Sequence, residues 1–221
     1  MSPNNRYMMI PKNKLLLIIK SCNSELCINL EKQSKSSWIP MIDKKYHIVF
    51  VKGDISLKEN YSIETFDRYS ILTLKTEDDF DSLSKKMKKL YTFLKKNTNI
   101  PFYWFVDADT YVNPETFNQF KDYGYDWYGS GPWSTGKQNF IIGCGYYISR
   151  KLLEIASNEL KDNGHFDDIS LGKVFDSNKN LRIKYSSIIH HNEKGLPFQK
   201  IDNLLFGHKV YDMVQFHSLY K

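Results

Sequence analysis

A run of five apolar residues that leads directly into two carboxylates constrains the fold of this chain more than any other feature. The run, residues 102–106 (FYWFV), has the length of a buried β-strand, and Asp107 and Asp109 follow it on alternate positions. In an open α/β sheet, ligands bind outside the carboxyl ends of the strands. Two hard oxygen ligands there suit Mg²⁺ or Mn²⁺, held together with the phosphates of a substrate. The sequence therefore predicts a metal and diphosphate site at this edge of the sheet.

The composition is that of a folded protein with a moderate positive charge. The chain has 221 residues, of which 41% are hydrophobic and 25% are charged, and its net charge is +6. Six lysines between residues 85 and 96 supply much of that charge. Nucleic-acid binding would need aromatics interleaved with such a basic run on an exposed surface. We therefore interpret the run as the solvated face of a helix and expect no nucleic acid as a partner.

The cysteines and the first apolar run bear on the compartment of the protein. Cys22, Cys27 and Cys144 cannot form a closed disulfide framework, and no zinc-like partners lie near them in the sequence. The apolar run at residues 15–19 is too short to span a membrane. We expect a fold that does not depend on disulfides, in a chain without a membrane span.

The order of the predicted elements indicates an α/β protein with a mostly parallel central sheet flanked by helices. Strands are predicted at residues 14–20, 46–51, 69–74, 102–106, 140–149 and 181–185. Helices are predicted at residues 24–35, from 76 to about 97, from 113 to about 123, and at 150–160 and 167–175. We find no internal repeat and no long linker. The prediction is an irregular leader over residues 1–13 and one domain over residues 14–221.

Four motifs in the chain occur together in a fixed order. They are KSSW at residues 35–38, YSILTLKT at 69–76, FVDADTYVN at 105–113 and IGCGYYIS at 142–149. Together they resemble the motifs of the Fringe-like and β-1,3-glycosyltransferase group, which are inverting enzymes of the GT-A fold that use UDP-sugars. Two positions depart from the group's pattern: Ile71 stands where the group has Asn, and Ala108 replaces the middle acid of its D-D-D triplet.

The resemblance implies a Rossmann-like GT-A domain and a metal-dependent transfer reaction. A hexose or N-acetylhexosamine would move from a UDP-sugar to a hydroxyl of a glycan or glycoprotein acceptor, with inversion and in a β-1,3 linkage. Animal members of the group lie in the Golgi behind a membrane anchor and rely on disulfides. Because this sequence predicts neither feature, we expect a cytoplasmic location rather than the Golgi lumen.

The resemblance also assigns catalytic and metal-binding roles. Asp109 matches the acid that binds Mn²⁺ in similar enzymes, and His217 resembles a histidine that Fringe proteins supply near the C-terminus. An imidazole favours Mn²⁺ over Mg²⁺ at a mixed site, and His190 and His191 are the alternatives for that ligand. Asp168 matches the catalytic base, a carboxylate that draws the proton from a sugar hydroxyl. On residues alone, such acids equally suit a helix N-terminus, where they complement the dipole.

Further residues are candidates for binding the two substrates. For the donor they are Asp107, Ala108 and Lys75, where Asp107 meets the ribose or a metal-bound water and Lys75 meets a phosphate. For the acceptor they are Trp133, Gly143, Cys144, Gly145 and Asp167. Trp133 could stack on a sugar ring, and the two glycines let the backbone approach a ligand closely or simply form a bulge.

Two other functions remain compatible with the sequence. Phosphatases of the haloacid-dehalogenase type also carry an apolar strand followed by D-x-D, and their first Asp attacks phosphorus. They have Thr or Val two residues after the second Asp, a position that Tyr111 occupies here. The second alternative is a catalytically decayed sugar-binding module, which the departures at Ile71 and Ala108 leave open.

Overall fold

The computed structural model of the protein describes residues 10–11, 14–122, 124–136, 139–162, 164, 166–187, 189–191 and 198–220. The predicted leader therefore lies outside the described residues except for Ile10 and Pro11. The strands are β1 (Leu15–Lys20), β2 (Tyr46–Gly53), β3 (Tyr61–Thr65), β4 (Tyr69–Leu74), β5 (Phe102–Asp107), β6 (Tyr111–Val112), β7 (Trp127–Gly129), β8 (Trp133–Ser134), β9 (Asn139–Phe140), β10 (Gly145–Ser149), β11 (Ile183–Tyr185), β12 (Ile189–His191) and β13 (Phe206–His208). The α-helices are α1 (Glu25–Ser36), α2 (Leu83–Asn97), α3 (Pro114–Asn118), α4 (Arg150–Glu159), α5 (Asp167–Ser177) and α6 (Met213–Ser218), and a 3₁₀-helix covers Ile39–Met41.

The central sheet has eight strands in the order β11-β7-β10-β5-β1-β2-β4-β3. Strands β4, β2, β1 and β5 are parallel neighbours, and β10 runs antiparallel to both β5 and β7. The chain builds outward from β1 through β2 to β4 and then returns to place β5 on the other side of β1. In open α/β sheets such a reversal point is where ligands bind, outside the carboxyl ends of the strands. The predicted α/β class with a mostly parallel sheet is confirmed.

Both faces of the sheet are covered by helices, which explains why the central strands read as continuous apolar runs. Alternate residues of β1 enter different cores: Leu16 and Ile18 pack on one face, and Leu17 and Ile19 on the other. Helices α2, α4 and α5 cover the first face, while α1, α3 and α6 cover the second. Within the described part of the chain, no helix has the length and apolar character needed to cross a membrane.

Helix α2 begins later than the sequence predicted. We expected it to start near Thr76, but its first residue is Leu83. The preceding segment is held by Asp78, whose carboxylate accepts hydrogen bonds from Gly53 N at 2.7 Å and from Lys86 Nζ at 2.9 Å. These bonds tie the end of β2 to α2 through a loop, so the residues before Leu83 serve as a connection rather than a helical turn. Phe80, which lies within the predicted helix, precedes the observed one and is 69% exposed.

One predicted strand and one predicted helix also differ from the observed elements, for similar reasons. The predicted strand at residues 140–149 is interrupted between β9 and β10, because Gly143 N donates to the Asp168 carboxylate and Cys144 O accepts from Thr110 Oγ1. The predicted helix to residue 123 ends at Asn118, whose carbonyl accepts from the Lys45 ammonium. In both cases a side chain satisfies the backbone group that would have continued the element.

We predict that Gly53→Ala destabilises the protein by roughly 1–3 kcal/mol through overpacking. A Cβ at this position would lie 2.6 Å from Glu77 O and 2.8 Å from Thr76 O, and backbone atoms cannot move aside cheaply. Urea unfolding followed by circular dichroism measures the change. Ser62→Ala, on the exposed edge strand β3, is the control and should leave the midpoint unchanged. An unaltered midpoint for Gly53→Ala would show that the loop after β4 adapts freely.

Candidate functional site

The two carboxylates of the D-x-D motif lie where the sheet topology predicts a ligand site. Asp107 is the last residue of β5 and lies in register with Lys20, the last residue of β1. A turn follows, in which Thr110 N donates to Asp107 O at 3.0 Å, and this turn presents Asp109 at the same edge. Both acids therefore lie at the carboxyl ends of β1 and β5, the point of reversal of the sheet.

A histidine from the C-terminal region joins these acids. Strand β13 pairs antiparallel with β6, and Val210 N donates to Asp109 O at 2.9 Å. This pairing brings His208 Nε2 to 3.5 Å from Asp109 Oδ1 and 4.0 Å from Asp107 Oδ2. Each of the three residues offers one potential ligand atom, and these three atoms lie within 4.8 Å of one another. Asp107, Asp109 and His208 thus form a group that could hold a metal ion.

The histidine in this group is His208, whereas we expected His217 from the sequence. His217 lies on α6 with only 3% of its surface exposed, and its Nδ1 is 2.8 Å from Tyr111 Oη. It packs inside the second core and lies outside the group that could hold a metal. The alternatives His190 and His191 lie on β12, where they pair with Gly207 and His208. Sequence reasoning missed His208, although it ends a short apolar run as Asp107 does.

A buried lysine links the D-x-D motif to a second acidic pair, Asp167 and Asp168. Lys20 Nζ lies 3.0 Å from Asp107 Oδ1 and 3.1 Å from Asp167 Oδ2, and its side chain is 3% exposed. Burial lowers the pKa of Lys20, but the charges of Asp107 and Asp167 outweigh it and hold that pKa above its usual value. The lysine is therefore a fixed cation between the two acidic groups. It was missed in the sequence, where its only signal is its position at the end of an apolar strand.

The acidic pair lies at the start of α5, as predicted, and its two members have different surroundings. Asp167 is buried and bonded to Lys20, while the half-buried Asp168 accepts hydrogen bonds from Gly143 N at 3.1 Å and Ile169 N at 2.8 Å. Burial raises the pKa of Asp167 to about 6, against the opposing effect of Lys20, and burial also raises the pKa of Asp168. The pKa of Asp109 is likewise about 6, because of burial and the nearby charge of Asp107.

All of these groups line one cleft of about 610 Å³. From the sequence-predicted residues the cleft brings together Asp107, Ala108, Asp109, Gly143, Cys144, Asp167 and Asp168. Gly143 permits this arrangement, since a Cβ there would lie 3.1 Å from Lys20 Nζ and 3.5 Å from a carboxylate oxygen of each acid in the pair.

Besides His217, three predicted residues lie outside the lining of the cleft. Lys75 directs its ammonium toward Lys58 O at 3.4 Å. Trp133 is 45% exposed on the β8–β9 hairpin, which forms a separate small sheet. Gly145 is buried within β10, opposite Val106. The predicted phosphate contact of Lys75 and the predicted stacking on Trp133 therefore have no support in the geometry of the cleft.

Comparison with known proteins adds no assignment to this geometry. No protein-family model matches the chain, and no curated protein matches it. A functional conclusion consequently depends on the cleft itself and on the four sequence motifs.

We predict that Lys20→Met destabilises the protein by about 3–5 kcal/mol near neutral pH, because it leaves buried carboxylates without their cation. The difference in the free energy of unfolding between the variant and the wild type should become smaller as the pH falls from 7 to 5. With Lys20 present, Asp167 has a folded-state pKa of about 6, above its ordinary 3.8, and loss of the lysine, which lowers that pKa, raises it further. Asp167 of the variant therefore binds its proton more readily than that of the wild type as the pH falls, which removes the uncompensated charge. Thermal unfolding of both proteins across this pH range measures the effect.

Lys52→Met is the matched control for that experiment. Lys52 forms a comparably buried ion pair with Glu31 at 2.9 Å, and neither residue lines the cleft. Lys52→Met should also be destabilised, but its difference in stability from the wild type should change less between pH 5 and 7 than that of Lys20→Met. Equal pH profiles for the two variants would contradict the assignment of the effect to the acidic cluster.

We predict that His208→Gln weakens Mn²⁺ binding by at least about tenfold, as expected for the loss of a metal ligand. The matched variant His217→Gln should bind Mn²⁺ as wild type does, because His217 faces Tyr111. Titration of Mn²⁺ in the presence of UDP, followed by electron paramagnetic resonance, measures both affinities. A larger loss for His217→Gln would restore the ligand set expected from the sequence.

Proposed function

We propose that the protein is a metal-dependent, inverting glycosyltransferase that moves a hexose or N-acetylhexosamine from a UDP-sugar to an acceptor hydroxyl. One observation carries the proposal. The group of Asp107, Asp109 and His208 and the acidic pair that contains Asp168 lie in the same cleft, joined through the single ammonium of Lys20. Diphosphate binding and proton removal are the two tasks of such a transfer, and this cleft contains groups suited to each.

The donor set fits a divalent cation of the Mn²⁺ type. Two carboxylates and one imidazole form a mixed oxygen and nitrogen site, which suits Mn²⁺ better than Mg²⁺. Asp107, Asp109 and His208 would hold the ion. When bound, such a cation neutralises the charge that develops on the diphosphate as UDP departs.

Asp168 is the better of the two acids for the role of general base. Asp167 is neutralised by Lys20 and buried, so its carboxylate serves to hold the lysine. Asp168 is half-buried, and two backbone N–H groups fix its orientation toward the cleft. Its raised pKa brings it nearer to working pH, which favours proton transfer from a sugar hydroxyl. The oxygen of that hydroxyl attacks the anomeric carbon on the face opposite the departing UDP, so the configuration at this carbon is inverted.

The GT-A fold and the β-1,3 linkage are the finer parts of the proposal, and they rest on the resemblance. The mostly parallel sheet, with its reversal between β1 and β5, supports the Rossmann-like part. Two of the four motifs also contribute residues to the cleft. FVDADTYVN runs through the end of β5 into β6, and IGCGYYIS contains both the turn at Gly143 and β10.

We predict that Asp168→Asn lowers the rate of transfer by roughly 10²–10⁴-fold, the usual contribution of a general base. The same variant should still be stabilised by UDP with Mn²⁺ in a thermal-shift assay, because the cation-holding group is intact. Asp109→Ala should lose both transfer and stabilisation. Asp176→Asn, an exposed acid on the same helix, is the control and should behave as wild type.

The assay is a panel of UDP-sugars, with Mn²⁺ present or chelated, read as UDP release and transfer to added acceptors. Two results would contradict the proposal. Release of inorganic phosphate from general phosphomonoesters, lost on Asp107→Asn, would identify a phosphatase of the alternative type. Glycan binding with no UDP release from any donor would identify a sugar-binding module.

A further inference from the structure

The mouth of the cleft carries large apolar side chains that are exposed to solvent. Phe80 is 69% exposed, Tyr211 48% and Phe166 45%, yet all three line the cleft. Side chains of this kind are ordinarily buried, and an exposed apolar surface rimmed by polar groups marks a binding site. The rings therefore point to a ligand with an apolar surface of its own.

Two of the rings belong to adjoining loops. Phe80 lies in the segment before α2, and Phe166 immediately precedes α5. The two segments are joined where Ser84 N donates to Gly164 O at 2.9 Å. A Cβ on Gly164 would lie 3.5 Å from Asp81 O, which confirms how closely the backbones approach. Phe80 and Phe166 therefore occupy the same wall, which we call the phenylalanine wall.

The phenylalanine wall adjoins the proposed base in the chain. Phe166 lies two residues before Asp168, and both residues line the cleft, so a ligand that packs on the Phe166 ring lies in the cleft that contains Asp168. Tyr211 belongs to the other side: it follows β13, and the charge of Asp109 adds to the effect of burial in raising its pKa. A ligand on the phenylalanine wall is thus placed to give its proton to Asp168.

The charges along this wall select against anionic ligands. Asp78 and Asp167 are each paired with a lysine, Asp78 with Lys86 at 2.9 Å. Asp79 and Asp168 instead accept hydrogen bonds from backbone N–H groups, and the charge of Lys20 also acts on Asp168. Six aspartates and three lysines line the cleft, so the charge of its lining is negative. A carboxylate or phosphate on the ligand would be repelled here, and discrimination of this kind is a common source of specificity.

We propose that Phe80 and Phe166 form the acceptor subsite and that it takes an uncharged pyranose. The C–H face of the sugar packs on the two rings, whose faces carry partial negative charge, and one of its hydroxyls meets Asp168. That this sugar is the acceptor of a transfer rests on the proposed function, whereas its binding does not. The sequence assigned the stacking role to Trp133, which lies outside the cleft lining.

The test measures sugar binding directly, without donor or turnover. The probes are the methyl glycosides of glucose, galactose and N-acetylglucosamine, with methyl glucuronide as the anionic counterpart of the glucoside. Saturation-transfer NMR titrations give their affinities for wild type, Phe80→Ala, Phe166→Ala and the conservative Phe166→Tyr. Trp133→Ala is the matched control, an exposed aromatic residue on a separate hairpin.

At least one neutral glycoside should bind, and the glucuronide should bind at least about tenfold more weakly. Each alanine variant should reduce the affinity roughly three- to tenfold, the scale of one aromatic packing contact, and Phe166→Tyr should restore it. Trp133→Ala should match wild type. The thermal shift with UDP and Mn²⁺ should be the same in all variants.

The proposal is overturned if no neutral glycoside binds, if the glucuronide binds equally well, or if Trp133→Ala weakens binding while the phenylalanine variants do not. Binding of octyl glucoside but not methyl glucoside also overturns it, because the rings would then serve an alkyl chain. Failure of the proposed function gives a different result. Glycosides would bind through Phe80 and Phe166 while UDP with Mn²⁺ gave no thermal shift and no sugar was transferred.

Discussion

The ammonium group of Lys20 is the interaction on which the arrangement of the cleft depends. A buried cation must have ionic partners, since its transfer from water into the protein is otherwise unfavourable. Lys20 obtains them from the D-x-D turn through Asp107 and from the start of α5 through Asp167. One lysine at the end of β1 therefore fixes two distant segments against each other, and the distance between the cation-holding group and Asp168 follows from it.

Four of the six aspartates that line this cleft have different properties because their surroundings differ. Asp107 and Asp109 lie next to an imidazole and can share a cation with it, while Asp167 is neutralised by a lysine. Asp168 is held by backbone N–H groups and faces the cleft. Pairs of titratable groups whose surroundings give them different protonation behaviour are typical of acid–base sites. Environment, rather than residue type, distinguishes the proposed base, Asp168, from its neighbour Asp167.

The sequence predicted the features that local pattern determines and missed those set by long-range pairing. The apolar run before Asp107 and the helix predicted at residues 24–35 depend on local pattern, and both lie where expected, with Ser24 as the N-cap of the helix. His208 reaches the acids only because β13 pairs with β6, and the short apolar run before it is a weak signal among six histidines. Lys20 and its partner Asp167 are 147 residues apart. No periodicity links such positions, so a strand-end lysine cannot be recognised as part of the site.

The break between β9 and β10 shows how the site itself modifies local structure. Residues 140–149 have the pattern of one strand, but Gly143 lies against Lys20 and the acidic pair, where a Cβ would contact all three side chains. Its N–H bonds to Asp168 instead of to a neighbouring strand. The backbone thus gives up a sheet hydrogen bond to orient the carboxylate that faces the cleft. Deviation from the pattern expected of a sequence is typical of functional sites, and here two hydrogen bonds account for it, the one that Gly143 N donates to Asp168 and the one that Cys144 O accepts from Thr110.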